Sequence, residues 1–206
     1  MEKYITANPR ILWVLKQSIH NGQDDQSVQI AENINRISSS PTWSRLAHAS
    51  LGILLGKRDF DMIKNNGIEL GESLLSTAII EANKELGESR SYDQKILDGY
   101  YKYETLILKQ IDAYLPDVVI VAMVGINESL KPITESIYKH FTGEPEYVID
   151  GHSKPSNADV AWSRTGNKIF LWAYHPAYPK IARKDYFDGL MNAYDAARTH
   201  GTSSIE

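Results

Sequence analysis

Five segments of the chain gather residue types that hydrolytic or binding chemistry would use. His175 lies in Tyr174-His175-Pro176-Ala177-Tyr178-Pro179. An imidazole leaving an apolar run, with a proline behind it, is placed to donate a hydrogen bond to charge developing on a leaving group. The structural alternative is a lone core histidine. Asn83 lies in Glu81-Ala82-Asn83-Lys84-Glu85. Its amide carries a donor and an acceptor side by side, which suits the edge of a pyrimidine or an amide. Turn formation is the common alternative for an asparagine. The segment from Lys16 through Gln17, Asn21, Asp24 and Asp25 is dense in groups that position or activate a water. The residues alone do not choose among them, and a solvated loop is the bland reading. Lys180, Arg183 and Lys184 follow His175 closely and suit phosphate contacts, or else form a solvated helix start. Asn127, in Gly125-Ile126-Asn127, reads as a helix cap.

Positioning these groups requires strands ahead of them. Residues 11–15, 77–80, 118–122 and 168–173 are short apolar runs rich in β-branched side chains. Continuous runs of this kind suit a sheet covered on both faces. Between them, residues 42–55, 91–115, 129–140 and 184–198 carry apolar residues at helical spacing. Strand–helix alternation predicts an α/β fold: one domain spanning 1–206, with a central four-stranded parallel sheet flanked by helices. Ligands of such sheets sit beyond the carboxyl ends of the strands. Each candidate segment follows one of the predicted strands. Residues 143–166, rich in Gly, Pro, Ser and Asn, read as a long loop.

Composition narrows the classes. The chain has 206 residues, enough for a sizeable core, with 42% hydrophobic and 23% charged residues. It contains no cysteine, which removes disulfides, thiolate zinc sites and cysteine-held iron–sulfur clusters together. There is no apolar run of about 18 residues and no apolar leader at the start, so the expectation is a cytoplasmic protein with no membrane partner. The net charge of −4 argues mildly against a protein that coats nucleic acid, but leaves room for an enzyme with a local basic rim. The six histidines show no His-Glu-x-x-His pair, no Gly-x-Ser-x-Gly elbow is present, and no Gly-rich loop ends in Lys-Ser or Lys-Thr.

Taken in order along the chain, these segments resemble the uracil-DNA glycosylase superfamily. The likeness lies in order and context across most of the sequence. His175-Pro176-Ala177 stands where members carry a His-Pro-Ser type motif, with Ala177 in place of the serine. Ile79-Ile80-Glu81-Ala82-Asn83-Lys84 resembles the segment whose asparagine reads the pyrimidine edge. Lys16-Gln17-Ser18-Ile19-His20 stands where members carry a water-activating loop such as Gly-Gln-Asp-Pro-Tyr; Gln17 matches, Ser18 replaces the acid, and the usual glycine and proline are absent. Trp43-Ser44-Arg45-Leu46-Ala47, with the Asn83 and His175 segments, is similar to a bacterial branch. Some glycosylases related to the superfamily serve phage defence by removing modified cytosines such as glucosylated hydroxymethylcytosine.

The resemblance implies a monofunctional DNA glycosylase that flips a uracil or modified pyrimidine out of the stack and leaves an abasic site. His175 would stabilise the leaving base, and Asp24 or Gln17 would place the water. Asn83, Trp43 and Asn21 would contact the base, and Lys180, Arg183 and Lys184 would contact DNA. Trp43 has a core role as its alternative, since it falls at helix spacing. No metal and no redox cofactor is expected, and the protein is expected to act as a monomer. Two rivals stand beside this reading: a catalytically inactive nucleic-acid or nucleotide-binding module on the same fold, and a small-molecule hydrolase or transferase on a generic α/β sheet.

Overall fold

The computed structural model describes residues 2–16, 40–85, 92–123, 128–154 and 158–200. The described helices are α1 (Glu2–Ile5), α2 (Pro41–Leu55), α3 (Phe60–Ile63), α4 (Gly67–Leu75), α5 (Asp93–Tyr114), α6 (Lys131–Thr142) and α7 (Arg183–Thr199). The strands are β1 (Ile11–Leu15), β2 (Thr77–Glu81), β3 (Val118–Met123), β4 (Gly151–Ser153), β5 (Val160–Thr165) and β6 (Lys168–Tyr174). They form one six-stranded sheet in the order β2-β1-β3-β6-β5-β4.

The sheet is mixed. β2, β1, β3 and β6 run parallel to one another, whereas β5 pairs antiparallel to β6 and β4 antiparallel to β5. The expected four-stranded parallel sheet is therefore corrected to six strands, and the expected loop 143–166 contains β4 and β5. Its composition hid this. β4 is only three residues long, and Gly151 is required there because a Cβ would come within 2.6 Å of the Trp162 ring. β5 turns into β6 through Gly166, whose φ of 59° suits a tight hairpin. Residues of β5 alternate between faces, with Val160 and Trp162 on one and Ala161 on the other.

The central strands β1 and β3 are apolar along their whole length because both faces are covered. Ile11, Trp13 and Leu15 face the cluster under α2, α4 and α7, and Leu12 and Val14 face the cluster under α5 and α6. Helix ends follow local chemistry. Ser40 caps α2 by accepting the Trp43 N–H, Pro41 occupies the first turn, and Gly56 ends the helix at φ 65°. α5 ends at Leu115, which takes the left-handed φ 47° and ψ 53°, and Pro116 behind it disfavours continuing the helix. No described helix is long and apolar enough to cross a membrane.

The chain leaves β1 towards β2 on one side and places β3 on the other. The strand order therefore reverses between β1 and β3, and the crevice beyond their carboxyl ends is the switch point where α/β sheets hold ligands.

Candidate functional site

The last row paired across the four parallel strands is Leu15, Glu81, Ala122 and Ala173. Asn83 and His175 each stand two residues beyond it, on the same carboxyl edge. They sit on the outer two of the four parallel strands, three strand spacings apart, or about 14 Å at the backbone. The switch point lies between them. Gln17, Asn21, Asp24 and Asp25, the expected water-placing and base-contacting residues, and Asn127 fall outside the described residues.

His175 is half-buried. Its carbonyl accepts the Tyr178 N–H at 2.8 Å, closing a turn, and its Nδ1 accepts the Ala177 N–H at 3.1 Å. An Nδ1 that accepts a backbone N–H cannot carry a proton, so the neutral ring bears its proton on Nε2. Burial, with the charges of Lys16 and Arg45, lowers the His175 pKa from 6.5 to about 4. At neutral pH the ring is thus uncharged and presents an Nε2–H donor. That state polarises a leaving group without first needing to be ionised.

The segment around His175 is held from below. Arg45, buried in the first half of α2, donates to the carbonyls of Pro176, Tyr178 (2.7 Å) and Ile181. Its guanidinium also lies 5.5 Å over the Tyr186 ring of α7, and the Tyr186 hydroxyl donates to the Tyr174 carbonyl at 2.9 Å. A buried arginine keeps its charge and must be satisfied by donors' partners; each such charged hydrogen bond is worth about 1.5–3 kcal/mol. Tyr174 and Tyr178 stack beside His175, with ring centroids 5.0 Å apart. Arg45 was given no role of its own at the level of sequence. Its signal was a charged residue inside a run, Ser44 to Ile53, that is buried all round, where a cation needs dedicated partners.

Lys16, directly after β1, pairs with Asp93 at 3.2 Å, and Ser129 donates to the other Asp93 oxygen at 2.6 Å. This links the ends of β1, α5 and the turn before α6 along the carboxyl edge.

Asn83 is treated differently. It is fully buried, its N–H donates to the Lys16 carbonyl at 2.9 Å, and its Oδ1 accepts the Glu85 N–H at 2.9 Å. The side chain lies flat against Gly99 of α5, where any Cβ would come within 2.1 Å of Oδ1. This is the turn-forming geometry named above as the alternative to base reading.

The remaining expected contacts separate. Trp43 is half-buried against the core cluster under α2. Lys184 is exposed and pairs with Asp188 one turn along α7 at 2.5 Å. Lys180 and Arg183 are exposed and make no ion pair among the described residues. Other histidines have structural partners. His48 is buried against the Ser44 carbonyl, His140 pairs with Asp112 at 2.8 Å, and His152 pairs with Asp159 at 3.0 Å. Among the described residues, no group of three or more His, Asp or Glu side chains is arranged to hold a metal ion. A cleft of about 440 Å³ lies at the opposite, amino-terminal edge, lined by Lys3, Asn8, Leu51, Leu54 and Glu72, and is remote from His175. Compared with known proteins, the chain matches no family model, and no curated protein sequence matches it significantly.

Proposed function

We propose that the protein is a monofunctional DNA glycosylase that hydrolyses the N-glycosidic bond of a flipped-out uracil or modified pyrimidine. The observation that carries this reading is His175: a neutral imidazole, fixed with its proton on Nε2, at the carboxyl edge of a parallel sheet. In the reaction the bond between C1′ of the sugar and the base nitrogen breaks, and its electron pair leaves with the base. His175 donates its Nε2–H to an oxygen of the departing base, which spreads the negative charge. Water adds to the sugar cation at C1′ and its proton passes to the departed base anion, leaving an abasic site and a free neutral base. Gln17 or Asp24 orients that water, and Asn21 contacts the base. The stacked Tyr174 and Tyr178 form an aromatic flank against which a planar base can rest. Exposed Lys180 and Arg183 meet phosphates. The buried, turn-locked amide of Asn83 favours a part in shaping the β2 side of the pocket over reading the base.

A non-catalytic binding module on the same fold is the second reading, and the first segment favours it, where Ser18 stands in place of the water-activating acid and the glycine and proline of the motif are absent. The deciding measurement incubates the protein with uracil-containing DNA, unmodified genomic DNA and phage DNA bearing glucosylated hydroxymethylcytosine, and assays abasic sites and released bases together. The expected outcome is base release that falls about 10²- to 10³-fold in His175→Ala, the usual effect of removing one preorganised donor. DNA binding without base release from any substrate would overturn the glycosylase reading in favour of the binding module.

A further inference from the structure

A leaving-group donor is only as effective as its placement, because a displacement of about 1 Å far from the chemistry can lower a rate about 100-fold. His175 sits on a turn after β6, and turns do not hold their own shape in the way a strand within a sheet does. What fixes this one is a set of carbonyl contacts. The Tyr174 carbonyl takes the Tyr186 hydroxyl, and the carbonyls of Pro176, Tyr178 and Ile181 all converge on one guanidinium. These contacts bracket His175 on both sides. One of these carbonyls, that of Pro176, belongs to the same peptide group as the Ala177 N–H that meets Nδ1, so the guanidinium orients that N–H directly.

We infer that Arg45 is a positioning residue for His175: by binding the carbonyls of Pro176, Tyr178 and Ile181 from within α2, it aims the Ala177 N–H at Nδ1 and so fixes the Nε2–H tautomer and its direction. The inference rests on the glycosylase reading for its effect on rate, but not for its effect on the ring. The fork geometry is essential. A planar guanidinium presents five donors in fixed directions and reaches carbonyls spread along the turn, whereas the three donors of an ammonium radiate from a single atom. The ring of Tyr186 lies beneath the guanidinium, 5.5 Å from its carbon to the ring centroid. Arg45 does not touch the reacting atoms in this arrangement; it acts through the backbone.

The test uses the full chain with Arg45→Lys and Arg45→Gln. Lysine keeps the charge and loses the fork; glutamine keeps two N–H donors and removes the buried charge, so it folds even where a buried ammonium does not. Ring nitrogen chemical shifts of His175 are read by NMR, and base release is read as kcat and KM separately. The expected result is a loss of the single Nε2–H signature towards a tautomer mixture, with kcat lowered about 10- to 100-fold and KM little changed. A folded variant with the parent tautomer and the parent kcat would overturn the inference. The unmodified protein gives an independent arm: the Tyr178 amide should be protected from hydrogen exchange as strongly as the amides of α2, and exchange at the rate of an open peptide would equally overturn it. Because the ring signature and the exchange are read without DNA, a protein silent on every substrate fails the glycosylase reading alone and leaves these two readouts to decide on Arg45.

Discussion

The two ends of the parallel sheet's carboxyl edge hold a polar residue in opposite ways. On the β2 side, Asn83 is absorbed into the architecture: its Oδ1 accepts a backbone N–H, its main chain extends the pairing with β1, and its amide is pressed against Gly99. On the β6 side, His175 also accepts a backbone N–H, but on the nitrogen whose occupation leaves the other as a donor. Both residues make a local turn contact. The difference is what the contact leaves over: a satisfied wall in one case, a directed N–H in the other. Position at a strand end therefore nominates a residue for chemistry, and the hydrogen-bond inventory decides whether it is available for it.

The largest expected effect tests that contrast directly. His175→Ala should lower base release about 10²- to 10³-fold while the thermal unfolding midpoint stays near that of the parent. Asn83→Ala should do the reverse. It removes the acceptor of the half-buried Glu85 N–H and empties a fully buried side-chain site, which lowers stability by about 1 kcal/mol. Denaturant unfolding and base release measured on both variants check this. Loss of activity in Asn83→Ala with an unchanged unfolding midpoint would show that Asn83 reads the base after all.

Gly99→Ala sharpens the β2 side further. The new methyl meets the Asn83 side chain at less than contact distance, so one of the two must shift, and overpacking of this kind destabilises by about 1–3 kcal/mol. Combined with Asn83→Ala, the two changes should be less than additive, because the second removes the atoms the first collides with. Urea midpoints of the double-mutant cycle measure the coupling.

The β6 side should announce itself through pH. The folded His175 pKa is lowered to about 4, whereas the unfolded chain takes up that proton near 6.5. Between these values the unfolded state binds more protons than the native state, so stability falls as the pH drops from 6.5 towards 4 and this contribution levels off below. His48, lowered by burial, adds a dependence of the same sign. A pH series of thermal midpoints should therefore be shallower for His175→Gln than for the parent. Equal slopes would mean that His175 titrates normally and is not held neutral by its surroundings.

The smallest effect is a control distant from both residues. Leu115 is exposed and holds a left-handed conformation that a side chain disfavours by about 1 kcal/mol. Leu115→Gly should raise stability by up to about that amount without changing base release, as read by the urea midpoint.

The sequence by itself indicated the parallel core, because short apolar runs without polar alternation, separated by helical patterns, suit strands covered on both faces. Residues 11–15, 118–122 and 168–173 all appear in strands that run nearly as expected. It also determined that His175 and Asn83 follow strands, and hence that they share an edge. It did not determine β4 and β5. A three-residue edge strand carries too few residues to show alternation, and Gly151 in it answers to the Trp162 ring, a contact distant in sequence. Nor did it determine what the polar side chains do. Whether Asn83 turns the chain or reads a ligand, whether Lys184 meets a phosphate or Asp188, and whether Arg45 is a surface charge or a buried clamp all depend on partners far along the chain or fixed by packing. Apolar burial is non-directional and written in local periodicity, whereas hydrogen bonds need particular atoms in particular places, and only the tertiary structure brings those atoms together.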